Sequence, residues 1–235
     1  MITLGIETAT MTGGIGIIRD GLLIAELRLN IRTTHSERLL PGLDYVLRQS
    51  GLKLADMDLL AVSIGPGSFT GLRVGLSMAK GISFAIGKPL VPVPTLEAFA
   101  WNLPFSPHPV VPLLDARKKE LYGGMFLWDE NKKGFERLVP ESVMPARSWA
   151  ETILKKGRKV VLTGEGALLY RDEFETALGD NVMFAEGGLL SPSPANVAFL
   201  GEKWLKEAIP FERDASRVKP FYIRKSEAEL KSEIL

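Results

Sequence analysis

Gly65-Pro66-Gly67-Ser68-Phe69-Thr70-Gly71-Leu72-Arg73-Val74-Gly75 joins two segments of different character. Ahead of it, Leu59-Leu60-Ala61-Val62-Ser63-Ile64 is an apolar run of strand length. Behind it, Leu72 to Ile86 reads as a helix. Glycines at a strand-to-helix turn let another group approach bare backbone, and the amides that open a helix favour negative charge. Two phosphate-binding motifs are nevertheless excluded. A P-loop requires Lys and then Ser or Thr after its last Gly, and here Leu72 and Arg73 follow Gly71. A dinucleotide fingerprint requires Gly where Thr70 stands and an acid at the end of the next strand, which reads Pro89-Leu90-Val91-Pro92-Val93-Pro94. On spacing alone, a tight turn with close helix packing remains. Gly71, Gly75 and Ala79 share one helix face, and each Gly costs an isolated helix roughly 1 kcal/mol against Ala. A close neighbour is therefore expected along that stripe.

Strand and helix signals extend outward in both directions. Ile2–Ile6, Ile15–Arg19 and Leu22–Leu29 read as strands, the last two joined at the hairpin dipeptide Asp20-Gly21. Thr34 and Glu37 have capping-box spacing before an apolar-periodic helix that stops at Gly51. Pro41 sits awkwardly inside it and suggests a later start. With the strand at 59–64, the helix at 69–86 and a strand at 90–93, the order is β-β-β-α-β-α-β. Residues 102–109 hold three prolines and read as a linker. The same order then restarts with strands at 110–114, 121–128 and 135–139, a helix at 148–155, a strand at 159–162, a helix at 167–178 and a strand near 182–184. A helix over 194–208 follows, then a tail of mixed charge expected to pack as an extended segment and a short helix. The expected organisation is a first subdomain over 1–101, a linker over 102–109, a second subdomain over 110–210 and a tail over 211–235. Two such α/β halves facing each other describe the actin-like ATPase (ASKHA) fold. In that fold the turn after the first strand, here Glu7-Thr8-Ala9-Thr10, lies near nucleotide phosphate. The spacing also fits an ordinary polar turn.

Composition bounds the function classes. The 235 residues are 46% hydrophobic and 24% charged, with net charge +1, so no bulk attraction to nucleic acid or membrane is implied. The absence of cysteine removes disulfides, thiolate metal sites and Cys nucleophiles. Met1-Ile2-Thr3-Leu4 does not open like a signal peptide, and no apolar run reaches the length of a membrane span. A cytoplasmic soluble protein without membrane association is expected.

Several blocks together resemble the TsaB family, also called YeaZ. They are Leu4-Gly5-Ile6-Glu7-Thr8-Ala9-Thr10, Thr34-His35-Ser36-Glu37-Arg38-Leu39-Leu40-Pro41, Gly65 through Gly75, Leu114-Asp115-Ala116-Arg117 with Glu120 and Tyr122, and Pro220-Phe221-Tyr222-Ile223-Arg224. They occur in the family's order and span nearly the whole chain. The resemblance implies a scaffold and dimerisation subunit of the bacterial machinery for tRNA N6-threonylcarbamoyladenosine, made beside the anticodon. It implies a heterodimer with the catalytic paralogue TsaD, recruitment of the ATPase TsaE, a homodimer when alone, and tRNA contact only through the complex.

The residues match a partner better than a catalyst. The paralogue's metal-binding His pair corresponds to Thr95 and Phe99, neither of which replaces imidazole. Its two acids past the first strand correspond to Met11 and Thr12. No catalytic residue, cofactor or metal is therefore assigned, and Glu7, Thr8 and Thr10 are read as a vestigial phosphate turn. Glu7 stands where the family usually has Asp. A small-molecule kinase or ATPase of the same fold remains the alternative, because Asp115 after the second half's first strand mirrors Glu7. A metalloprotease would need a His-Glu-x-x-His or equivalent, which is missing. Asp115-Ala116-Arg117 with Glu120 reads as a turn held by an Asp–Arg pair. Arg117, Lys118, Lys119, Arg213, Arg217, Lys219, Arg224 and Lys225 could meet tRNA phosphate, but interleaved acids favour a solvated surface. Gly164-Glu165-Gly166 is expected to repeat the Gly65-Pro66-Gly67 turn. The partner surface is assigned to Gly71, Leu72, Arg73, Gly75, Leu76 and Ala79, bordered by Ile82, with a stripe packed on the chain's own sheet as the competing reading.

Overall fold

A computed structural model describes residues 1–224. The first half contributes β1 (Ile2–Glu7), β2 (Gly13–Arg19), β3 (Leu22–Leu29), α1 (His35–Ser50), β4 (Leu59–Ser63), α2 (Phe69–Ile86), β5 (Leu90–Val93) and α3 (Thr95–Ala100). The second contributes β6 (Val110–Asp115), β7 (Glu120–Asp129), β8 (Gly134–Pro145), α4 (Ala146–Lys155), β9 (Val160–Thr163), α5 (Glu165–Leu169), α6 (Arg171–Leu178), β10 (Val182–Phe184) and α7 (Pro194–Lys206). The sheets run β3-β2-β1-β4-β5 and β8-β7-β6-β9-β10. In each, an antiparallel meander is extended by two parallel strands. The duplicated actin-like fold read from the sequence is the fold observed.

Each sheet is covered on both faces. α1 and α2 bury Leu39, Leu43, Val46, Leu76 and Ala79 against β1, β2 and β4. α4 and α6 bury Trp149, Ile153, Phe174 and Leu178 against the second sheet. The opposite faces are closed by exchange between the halves. α7 packs Val197 and Leu200 on Leu59, Ala61 and Val91 of the first sheet. α3 packs Leu96 and Phe99 beside Val110, Leu114 and Phe126 of the second. Gly5 and Gly16 make the α7 contact close, since a Cβ at either would lie within 2.5 Å of α7 backbone. The division at 101, 109 and 210 is therefore corrected: α3 belongs spatially with the second lobe and α7 with the first. Buried apolar area, not chain position, decides where each helix docks.

Local signals explain most boundaries. Glu37 Oε2 accepts the Thr34 N–H at 2.9 Å, and Gly51 ends α1 at φ 66°. α1 nevertheless runs through Pro41 from His35 rather than starting later; Pro41 lies in the second turn, where the helix forgoes one backbone hydrogen bond. β8 runs to Pro145, six residues beyond the expected end. The helix expected over 167–178 is broken at Tyr170 into α5 and α6. α3 has only six residues, too few for a helical period to show in the sequence. In the tail, residues 211–224 contain no helix or strand. Its expected short helix falls in part, and Lys225 wholly, outside the described residues. No helix among the described residues is long and apolar enough to cross a membrane.

Candidate functional site

The ends of β1 and β6 lie near the second strand-to-helix turn, where Glu165 is close enough to feel both Glu7 and Asp115. Glu7 ends β1, and its Oε1 accepts the Ala9 N–H at 2.5 Å. Glu7, Thr8, Ala9 and Thr10 are all buried. Burial pushes the Glu7 carboxyl up to about 7, against hydrogen bonds from Ala9, Ser63 and Thr8, and the nearby Glu165 charge adds to the rise. Among the described residues, Glu7 Oε2 and Thr8 Oγ1 have no hydrogen-bond partner. An unpaired buried oxygen is costly as part of a carboxylate and tolerable on a protonated carboxyl.

In the second lobe, Gly164 adopts φ 97° and Glu165 opens α5. This is the strand-to-helix turn expected at Gly164-Glu165-Gly166. Burial raises the Glu165 carboxyl above its ordinary value, and the Asp115 charge adds to the effect. Asp115 ends β6 and accepts the Arg117 N–H at 2.8 Å. Glu7 and Asp115 therefore do mirror each other, but Glu165 is the acid coupled electrostatically to both. The sequence reading missed that role, although the pseudo-repeat placed Glu165 at the correct turn. Among the described residues, no group of three or more His, Asp or Glu side chains is placed to hold a metal ion.

The glycine stripe of α2 lies against this same turn. Ser68 Oγ accepts the Gly71 N–H at 3.2 Å, and the Ser68 N–H reaches Ala9 O at 2.6 Å. A Cβ on Gly71 would meet Thr8 O at 2.1 Å, and one on Gly75 would meet Thr8 Oγ1 at 2.2 Å. Leu72 and Ala79 are 0% exposed, and Leu76 and Ile82 are buried beside them. This corrects the assignment of Gly71, Leu72, Gly75, Leu76 and Ala79 to a partner surface: they pack on this chain's own β1 turn and core. Of the six residues, only Arg73 is exposed. The contact also closes the turn. Thr8 is covered by α2, so the residues do not form the open cradle that a nucleotide phosphate would need.

His35 is a half-buried strut under the turn. Arg38 Nη2 donates to His35 Nδ1 at 3.0 Å, so Nδ1 accepts and Nε2 carries the proton toward Thr10 O at 2.8 Å. Burial lowers its pKa, and Arg38 pushes the same way. Arg38 also bonds Leu29 O at 2.9 Å and Ile31 O at 3.2 Å. Thr95 and Phe99 are buried; Thr95 Oγ1 accepts the Gly65 N–H at 3.0 Å and thereby fixes the glycine turn.

The tail runs from the first lobe to the second. The Phe221 N–H reaches Ile64 O at 2.7 Å, and Tyr222 stacks on Phe69 at 5.0 Å. Arg73 lies 3.8 Å over the Phe69 ring and donates to Tyr222 Oη at 3.0 Å. At the far side, Arg224 binds Glu120 at 2.6 Å and also Ala116 O. The strap fastens α2 to the β6–β7 turn. Outside these contacts, α1 and α2 present Leu40, Tyr45, Ser77 and Phe84 to solvent, Phe84 at 92% exposure.

The sequence family described as TsaD, tRNA N6-adenosine threonylcarbamoyltransferase, matches residues 30–232. The tRNA threonylcarbamoyladenosine biosynthesis protein TsaB of Bacillus subtilis is 31% identical over 232 residues, spanning 98% of this chain and 97% of that protein. A Pseudomonas aeruginosa protein described as similar to peptidase YeaZ superposes with a TM-score of 0.75 at 23% identity, over 95% of this chain and 99% of that one. A ROK hexokinase from Thermus thermophilus superposes at 0.51 with 13% identity, over 88% of this chain and 100% of that one, a likeness of fold alone.

Proposed function

The chain belongs to the TsaB (YeaZ) family, and from that premise we propose that it is a non-catalytic subunit for tRNA N6-threonylcarbamoyladenosine synthesis that activates TsaD and recruits TsaE. The relationship to TsaB over almost the full length of both chains carries this reading. The closed Glu7–Thr10 turn supports the non-catalytic part. Phosphoryl transfer needs acids that reach a metal-bound nucleotide, whereas Glu7 is fully buried and Thr8 is covered by α2.

TsaD docks on the outer face of α1 and α2. The support is physical: Leu40, Tyr45 and Phe84 are large apolar side chains left in water on one helical layer, with Arg73 at its edge. Exposed aromatics of this kind supply the anchors of protein interfaces. In the absence of TsaD the same face pairs two copies of the chain, so homodimer and heterodimer exclude one another. tRNA reaches the chain only within the complex on this reading, and the protein acts in the cytoplasm.

The test is reconstitution with TsaD and TsaE from the same organism, with a threonylcarbamoyl-adenylate source, omitting one protein at a time. Modification of tRNA should require this chain, while the isolated chain should not turn over ATP. Full modification without it, or ATP turnover by the isolated chain that Glu7→Ala and Asp115→Ala abolish, would overturn the reading.

A further inference from the structure

Residues 211–224 form no helix or strand, yet they touch both lobes. Their grip on the first lobe is distributed. Val218 is buried at 3% exposure and joins the core beneath α1 and α2. Lys80 Nζ donates to Ser216 O at 2.9 Å. The Phe221 N–H reaches Ile64 O at 2.7 Å. A Cβ on Gly65 would lie 2.5 Å from Phe221 O, so the glycine turn admits the tail's backbone because it carries no side chain. Tyr222 stacks on Phe69, and Arg73 packs on the same ring and donates to Tyr222 Oη.

On the second lobe the grip is of another kind. Among the described residues it is made by the Arg224 side chain. Arg224 Nη1 donates to Glu120 Oε2 at 2.6 Å, and Nη2 donates to Ala116 O. The ion pair is half-buried, with side-chain exposures of 28% and 32%, so water screens it only in part. One end of the tail is therefore held by backbone, a buried side chain and stacked rings. The other is held by one guanidinium. The polar end is the one that yields when the lobes part.

The lobes also meet through the helices that change sides. Trp101, at the end of α3, lies 4.9 Å from Phe199 of α7, and Asn196 of α7 donates to Asn102 at 2.8 Å. Arg28 of β3 donates to Gly188 O at 3.0 Å, in the segment that leads into α7. Each sheet keeps an apolar cluster of its own, so a change of angle between the lobes leaves both cores intact. Bodies joined in this way move relative to one another unless a further contact fixes them.

We propose that residues 216–224 are a clasp that sets the angle between the two lobes, seated on the first lobe and releasable from the second at the Arg224–Glu120 pair. It acts in the isolated chain, whatever partner the chain later meets. Release at Arg224 leaves the tail on α2 and frees the second lobe.

The chain has no cysteine, so two introduced thiols can be spin-labelled without background. Gln49→Cys on α1 and Thr176→Cys on α6 place one label on an exposed position of each lobe of the full chain. Dilution with unlabelled chain removes distances between copies. Double electron–electron resonance then reads the distribution of interlobe distances. Arg224→Ala and Glu120→Ala should each widen it. The double variant should widen it no further than Arg224→Ala alone, because the two side chains form one contact. The Phe221 amide should keep its hydrogen-exchange protection within about twofold in every variant, since its seat on the first lobe is untouched. A distribution that Arg224→Ala leaves unchanged would overturn the proposal. Widening with loss of Phe221 protection would overturn it too, because the tail would then be leaving the first lobe. Should Arg224→Ala fail to fold, Glu120→Ala decides by the same two readings.

Discussion

Glu7 links burial to pH. Burial pushes its carboxyl up to about 7 in the folded chain, above the ordinary 4.5. Between those values the folded state holds a proton that the unfolded state has released, so stability falls as pH rises through the window. Between about pH 5 and pH 8 this one group removes about 2–3 kcal/mol of stability. Glu7→Gln cannot ionise and should show a smaller stability loss across the same range, measured by thermal melts in matched buffers. Equal losses in both proteins would mean that Glu7 ionises freely in the fold. At the same scale, two glycines of α2 should respond oppositely to alanine. A Cβ at Gly81 meets nothing within 4 Å, so Gly81→Ala should stabilise by about 0.5–1 kcal/mol. A Cβ at Gly71 meets Thr8 O, a backbone atom that cannot swing aside, so Gly71→Ala should destabilise by about 1–3 kcal/mol. Urea unfolding of the two variants measures both; two changes of the same sign would refute the stripe's packing role.

At the level of elements, α2 has two faces with different tasks. Its inner face carries Gly71, Gly75 and Ala79 against the Thr8 turn, and its outer face carries Arg73, Ser77 and Phe84 in water. The assignment of the glycine stripe to a partner failed because a flat stripe states only that something approaches closely. Which neighbour approaches depends on the sheet below it. Phe84 touches too little of its own chain to hold the fold, so Phe84→Asp should change stability by less than about 0.5 kcal/mol. The same change should weaken the TsaD heterodimer at least about tenfold by titration calorimetry, if Phe84 is an anchor. A folded variant with unchanged affinity places the interface elsewhere.

The whole molecule is two lobes that complete each other. α3 of the first half closes the second sheet, and α7 of the second closes the first. Neither half therefore has a finished core. Fragments 1–108 and 109–235 should each be aggregated or unfolded alone, and should form a soluble pair when expressed together. A sharp, cooperative melt from either isolated fragment would show that the exchange is dispensable.

The sequence by itself determined the repeat. Apolar runs of period two, capped amphipathic stretches and glycine turns recur in the same order in both halves, because strand and helix formation depend on patterns a few residues wide. The same locality exposed the Gly65 and Gly164 turns and the positions of Glu7 and Asp115. Tertiary structure alone decided which face each helix buries, that α3 and α7 change lobes, and that the tail reaches Glu120 through Arg224. Those outcomes turn on contacts between residues dozens to more than a hundred positions apart, such as Thr8 with Gly75 and Ala61 with Gly201. Such pairs leave no local periodicity to read; they form because each sheet has a second apolar face that only a distant helix remains to cover.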